Sequence, residues 1–463
     1  MPESPSPKSR RRRKISNGNS INQVETDNNI TSSKVPNIIH DKMTTAEKEP
    51  NTDFKYKCVV LAVALRLLAY FYLTGFFETC PQLVTPWNSF KQFKEGIFLH
   101  ESGTVDDVYD GDMFHVMPIF VHALRPTLNS EFWLRIEWLI LDLFTAFFID
   151  EFVRNYVSMR AGANADCADV MSRKMGNIAF AGYLLNPMTI GSWTVLSLSS
   201  ILNVLISALL IFVIKDYLIF SVIALGIAAQ LNVYHLVLLA VIILNFKNRL
   251  PAVLMTIFFI IGSLFAVNFL LVENPLRLFH TTIGFFLTVP DLSPNVGIFW
   301  YFFAQVFEHY RLLFLFAFQF NVLIHIAPLS ITLRKNPYVL AVSLLMFIAI
   351  FSSYPSYAET ALYLPYIAAF TDMHKYIRHG LVLGSTLVAT VVLTPIMWRI
   401  WVETGTGNAN FFFAITWVFN LAQIFILADF VGAYLRFNLI QNCEQENAEE
   451  KIESIRLVTA SLI

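Results

Sequence analysis

Between Val59 and Tyr434 the chain is apolar almost without pause. A bilayer core takes roughly 20 apolar residues to cross as a helix, and such runs recur along this stretch. The expected fold is therefore an all-α, polytopic membrane protein. We count roughly twelve crossings, several of them short or interrupted. Composition agrees: 56% of the 463 residues are hydrophobic, 43 are Phe, and only 14% are charged, against about a quarter charged in soluble domains. The formal net charge of -1 comes with basic residues scattered through the loops, which gives no footprint for nucleic acid.

The first 57 residues differ in kind. The stretch SPSPKSRRRRKISNGNS leads into Asn, Thr and Ser-rich sequence with almost no large apolar residues, so residues 1–57 are expected to be a disordered basic tail. The cluster Arg10 to Lys14 is suited to anionic lipid or to serve as an address. Lys and Arg recur at alternate loops: Arg154 to Lys174, Lys215, Lys247 and Arg249, Arg334 and Lys335, Lys375 and Arg378, and Arg436. By the positive-inside rule both termini are cytoplasmic. Loops 77–131, 291–296, 352–357 and 403–410 then lie on the opposite, lumenal side. Residues 437–463 read as a charged cytoplasmic tail. The four cysteines have no metal-ligand spacing, and only Cys80 is placed securely in the lumen. No internal disulfide is expected, which leaves Cys80 as the thiol for an intermolecular bridge.

Within 58–436 several interruptions stand out. In the large loop 77–131, Trp87, Phe90, Phe93, Ile97 and Phe98 recur at helical spacing beside Lys91, Lys94 and Glu95, which predicts a helix lying in the membrane interface. LLNP at 184–187 and SWTVLSLSS at 192–200 break a helix. Gln230, Asn232 and His235 sit between apolar segments and must face protein or water.

Three constellations carry candidate chemistry. The acidic cluster Asp106, Asp107, Asp110 and Asp112, followed by His115, contains an Asp-x-Asp of the sort that binds a cation or activates a sugar acceptor; a plain solvated turn is the favoured reading, since Asp and Gly are ordinary turn formers. In TVPDLSPNVGIFWYFFAQVFEHY (288–310), Pro290 and Pro294 bar a continuous helix, Asp291 and Asn295 suit a helix start, and an aromatic segment follows. Glu308, His309 and Arg311 then fall where a spanning helix would be apolar, which marks them either as functional or as an ion pair inside the bundle. FSSYPSYAETALYLPYIAAF (351–370) repeats the pattern around Glu359, and GTGNANFFFAIT (405–416) offers Asn408 and Asn410, amides suited to phosphate or sugar hydroxyls. No Ser-His-Asp arrangement, Walker loop or zinc motif is present, and nothing reads as a nucleophile or as a cofactor or metal site.

The runs at 288–322, 351–370 and NANFFFAITWVFNLAQIFILADF (408–430) closely resemble the phosphatidylinositol glycan class U family, subunits of the GPI transamidase; YLLNP (183–187) and FHVMP (114–118) fit more loosely. The resemblance covers most of residues 58–436. The basic N-terminal tail and the DDVYDGD loop have no counterpart in it. It implies a noncatalytic, multi-spanning subunit of the endoplasmic reticulum membrane, built on a scaffold like that of the polytopic class C glycosyltransferases. It also implies partners: a caspase-like catalytic subunit with the other transamidase components, the GPI glycolipid and membrane phospholipids, and the C-terminal signal of precursor proteins.

A receptor for GPI needs polar lumenal ends over an apolar slot. On that reading Asp291, Asn295, Asn408 and Asn410 contact the glycan or its phosphoethanolamine. Phe299, Trp300, Phe411 and Phe412 border the acyl chains, while Glu308, His309 and Glu359 are polar groups at membrane depth. The competing readings are an active mannosyltransferase using a dolichol-phosphate donor, resting on Asp110 and Asp112, and a transporter or scramblase, for which no inverted repeat is evident.

Overall fold

The computed structural model describes residues 51–442 apart from 106, 112 and 162–164. The tail expected over 1–57 lies outside the described residues as far as residue 50, and so does 443–463. Among the described residues every secondary-structure element is helical. Fourteen of the helices carry the argument: α1 (Asn51–Glu78), α2 (Phe90–Glu101), α3 (Glu131–Ala161), α4 (Ala165–Leu184), α5 (Pro187–Thr194), α6 (Ser199–Ile214), α7 (Leu218–Leu231), α8 (Leu250–Leu270), α9 (Phe299–Gln305), α10 (Glu308–Ile324), α11 (Pro337–Phe351), α12 (Tyr357–Tyr363), α13 (Gly380–Val402) and α14 (Ala409–Asn442). The first helix begins at Asn51, ahead of the apolar run.

Five helical stretches are long and apolar enough to cross a bilayer unaided: Asp53–Glu78, Lys247–Leu270, Glu308–Thr332, Gly380–Val402 and Ala409–Gln441. Four shorter apolar helices, of 10–17 residues, fill the interior: Ser199–Ile214, Leu218–Leu231, Val233–Asn245 and Pro337–Phe351. Burial separates the two kinds. From Val339 to Ile350 every residue of α11 is buried, as a helix that is apolar all round requires. α8 and α10, by contrast, turn Phe258, Phe259, Leu312 and Phe316 outward. In lipid those side chains lose nothing by exposure.

The packing is built mainly of neighbours in sequence: α3 runs along α4 and α6, α6 along α7, α7 along α8, and α13 along α14, with α11 and α14 joining distant parts of the chain. The polar interruptions act as caps. Asn186 accepts from the Met188 N–H (3.0 Å) to start α5, and Asn336 accepts from Tyr338 and Val339 to start α11, each with proline in the first helical position as helix starts favour. Gln230 accepts from the Asn268 amide at 2.7 Å, Asn232 caps the turn to Tyr234, and His235 is buried, so all three face protein as expected.

The amphipathic stretch near 90 forms α2, capped by Ser89, but its apolar face is not laid on the membrane interface. Phe90 packs edge-on against Trp138 at 5.2 Å and Phe93 stacks on Phe114 at 5.8 Å, and of the apolar set only Phe98 is exposed. Trp87 lies before the helix and donates its indole N–H to the Tyr354 carbonyl (3.0 Å). A 3.6-residue period marks a covered face; whether lipid or protein covers it is decided by tertiary packing.

One feature without a sequence signal is a fully buried ion pair between helices. The Arg66 guanidinium donates to Asp142 at 2.8 Å and to the Leu184 carbonyl at 2.9 Å, with both charged side chains 1% exposed. Its worth lies in joining α1, α3 and α4 in one arrangement, since removing either partner strands a charge in low dielectric.

Candidate functional site

The 289–298 loop is pinned from three sides. Val289 adopts φ 50°, a left-handed conformation rare for a β-branched residue, and its carbonyl accepts from Arg311 at 2.8 Å. The Tyr354 hydroxyl brackets Asp291, accepting from its N–H (3.2 Å) and donating to its carbonyl (3.0 Å). Asn420 on α14 donates to the Val296 carbonyl at 2.6 Å. Gly297 is needed for close approach, because a Cβ there would lie 2.7 Å from the Pro355 ring. The prolines and polar residues of this stretch thus fold one ordered connector against the 352–357 turn.

Asp291 accepts from the Ser293 N–H (2.7 Å) and remains partly exposed. Asn295 is 1% exposed, with its amide oxygen taken by the Gly297 N–H (2.8 Å) and its NH2 by the Ser293 carbonyl. Beyond the connector the aromatic run does not continue as one helix. It forms α9, breaks at Val306 and Phe307, both extended, and restarts as α10 at Glu308. Glu308 and His309 are therefore exposed residues in the first turn of a spanning helix, where a carboxylate complements the helix dipole. This corrects their expected place at membrane depth. Arg311 serves the backbone of Val289, so neither a Glu-Arg nor a Glu-His pair forms there.

Glu359 is buried, and its role is a cap. One carboxylate oxygen accepts from the Ser356 N–H (2.7 Å) and hydroxyl (2.5 Å) in a capping box that starts α12.

The 405–413 stretch joins α9. Gly405 takes the left-handed conformation at φ 64°, and Asn408 accepts from the Asn410 N–H at 3.0 Å to open α14. The Tyr301 hydroxyl of α9 donates to the Asn410 amide oxygen, while the Tyr301 ring stacks on Phe413 at 4.0 Å. Trp300, Trp398, Trp401 and Phe412 form the adjoining aromatic cluster. Phe412 is fully buried and Phe299 is buried against Phe318. The Trp300 indole N–H is buried with no acceptor.

The structure thus gathers Trp300, Asn408, Asn410, Phe411 and Phe412 into one place and puts Asp291 and Asn295 on the connector leading to it. Glu359, Glu308 and His309 serve elsewhere. Asn408 and Asn410 are exposed and Phe411 is 54% exposed, so outward amides stand beside an aromatic wall. Tyr301, Trp398 and Trp401 complete that wall; Trp398 and Trp401 are three apart on α13, a spacing that shares a helix face.

The acidic loop has another fate. Asp110 pairs with Arg277 and accepts from the Asp107 N–H (3.0 Å), and the His115 ring stacks on Phe285 at 3.5 Å. Asp106 and Asp112 lie outside the described residues. Cys80, in the loop after α1, is buried at 3% exposure, and burial pushes its thiol up to about 12. So buried, the thiol presents no surface for the intermolecular bridge that the sequence left open.

Comparison with known proteins identifies the family. The family model described as "GPI transamidase subunit PIG-U" matches residues 60–419. The "GPI-anchor transamidase component PIGU" of Homo sapiens is 31% identical over 412 residues, 82% of this chain and 93% of the relative. That of Mus musculus is 30% identical over 410 residues, with the same coverage. The "GPI transamidase component GAB1" of Saccharomyces cerevisiae is 26% identical over 360 residues, 76% of this chain and 86% of the relative. These matches give the mannosyltransferase reading no support. With its matched region running from the first span through the site to α14, the chain belongs to the PIG-U family of GPI transamidase subunits.

Proposed function

We propose that the chain is a noncatalytic subunit of a GPI transamidase that holds the GPI glycolipid and presents it for transfer to precursor proteins, the catalytic residues being on a separate, caspase-like subunit. One observation carries the reading: exposed Asn408 and Asn410 stand at the start of a spanning helix beside a wall of Trp300, Trp398, Trp401 and Phe412. GPI has a polar glycan with phosphoethanolamine above apolar chains. Outward amides hydrogen-bond the first, and an apolar aromatic surface accepts the second. The exposed Asn408, Asn410 and Phe411, with the partly exposed Asp291, make the ligand contacts. Asn295, Phe299 and Phe412 act from behind, by shaping the connector and the wall.

The same reading puts the chain in the endoplasmic reticulum membrane with both termini cytoplasmic and about twelve crossings on a class C glycosyltransferase-like scaffold, the shorter apolar helices supplying the broken ones. Its partners are the other transamidase subunits, membrane phospholipids and the C-terminal signal of the precursor. The test is to purify the tagged chain in mild detergent and identify companion proteins and bound glycolipid by mass spectrometry. Recovery of a protease-like subunit together with GPI is expected. Recovery of the chain alone, transferring mannose from a dolichol donor, would overturn the reading.

A further inference from the structure

A second candidate site lies between α1 and α3. A cavity of about 410 Å³ is walled by Val63, Leu67, Phe71, Phe132 and Leu139, with Arg66 and Arg135 also on its lining. Leu67, Phe71 and Phe132 are exposed, and α1 is long and apolar enough to cross a bilayer, so the cavity offers an apolar surface to a lipid chain. Two guanidiniums in an apolar wall are costly there unless they serve a polar partner.

Arg135 is held rigidly. Its guanidinium stacks over the Tyr70 ring at 3.9 Å and lies 5.6 Å from that of Trp193. It donates twice to Glu131 Oε1 and once to the Thr194 carbonyl (3.1 Å). Three of its five N–H groups are used, leaving two. All three donors to Glu131, including the Tyr70 hydroxyl at 3.4 Å, reach Oε1, and Oε2 is left over. Deeper in, Arg66 is 1% exposed and its Nε–H has no acceptor. A buried donor without a partner calls for an explanation, and an acceptor bound beside it would supply one.

We propose that this groove binds one zwitterionic glycerophospholipid of the phosphatidylethanolamine class. Its phosphate accepts from the spare N–H groups of Arg135, its ammonium donates to Glu131 Oε2, an acyl chain lies along Leu67, Phe71 and Leu139, and an ester carbonyl reaches toward Arg66. The side-by-side cation and carboxylate match a phosphate and amine two carbons apart. A choline head has no N–H to give Glu131, and a glycerol head has no cation. The site is independent of the GPI reading, since it shares no residue with Asn408 and Asn410.

The full-length chain, with the subunits it retains, is placed in nanodiscs of mixed phosphatidylethanolamine, phosphatidylcholine and phosphatidylglycerol, and the lipid kept on release is identified by native mass spectrometry. One phosphatidylethanolamine is expected in preference to the other two. Arg135→Gln should weaken its retention roughly tenfold, the factor expected when hydrogen bonds to a charged group are lost. Leu67→Trp, which fills the cavity and leaves the polar groups untouched, should displace it, and Asn410→Ala should leave it in place. Retention of all three lipids alike, retention unchanged by Leu67→Trp, or GPI occupying the groove instead would overturn the proposal.

Discussion

The Tyr301 hydroxyl donates to the Asn410 amide oxygen, so a residue of the short aromatic helix α9 fixes the orientation of an amide at the start of α14. With its oxygen committed, Asn410 presents its NH2 outward, as a donor suited to phosphate or glycan oxygens. The stack of Tyr301 on Phe413 holds the donor in place. Tyr301→Phe keeps the stack and removes the hydrogen bond. It should lower GPI attachment by roughly twofold to tenfold, the net worth of one such bond, with subunit assembly unchanged. A flow-cytometric assay of a GPI-anchored reporter in cells carrying the variant alone checks this; a reporter level equal to wild type removes Tyr301 from the site.

The connector from Val289 to Gly297 depends on Tyr354 through both backbone groups of Asp291. Tyr354→Phe should raise hydrogen exchange across 289–297 and lower stability by about 1 kcal/mol, because two part-buried backbone groups lose their partner. Unchanged exchange in this segment would show that Arg311 and Asn420 hold the loop unaided.

Arg66 and Asp142 form the other critical pair. Either Arg66→Met or Asp142→Leu alone should destabilise the chain in detergent by about 3–5 kcal/mol, and the double variant should recover most of the loss, since no lone charge remains buried. Thermal melts followed by intrinsic fluorescence decide it; additive losses in the double variant would argue against the pair.

Cys80 gives a pH prediction. Burial raises its thiol to about 12, and an upward shift favours the neutral thiol, so thiolate is scarce everywhere below that value. Maleimide labelling of the native protein should stay negligible from pH 7 to pH 9, where an ordinary thiol with pKa near 8.5 becomes largely ionised. Labelling should appear only on unfolding. Ready labelling of the native chain at pH 8 would mean that the loop after α1 opens.

Much of this was written in the apolar runs and in the polar residues that interrupt them. The interruption at LLNP was legible as a break, and there Asn186 starts a new helix; Asn336 and Asn408 also cap helices. The capping box at Ser356 and Glu359 was open to the same reading, but the flanking apolar sequence drew Glu359 toward membrane depth instead. The break at Val306 and Phe307 has no glycine or proline to announce it; it comes from the packing of α9 on one side and the restart at Glu308 on the other. Asn295 and Phe412 read as ligand contacts because their types suit a glycolipid, yet burial depends on which partners the fold brings, Ser293 and Gly297 for one and Trp398 for the other. The Arg66 and Asp142 pair spans 76 positions, and no local pattern carries such a contact.

The exposed amides of Asn408 and Asn410, beside the aromatic wall, are the proposed seat of the glycolipid. The most direct measurement is GPI recovered with the purified complex from cells expressing Asn408→Ala, Asn410→Ala or both, quantified by mass spectrometry against the amount of companion subunits. Normal companions with bound GPI reduced roughly tenfold or more are expected in the double variant, as loss of two hydrogen bonds to a charged head group requires. Full GPI recovery with normal companions in the double variant would contradict it and move the lipid's seat elsewhere on the chain.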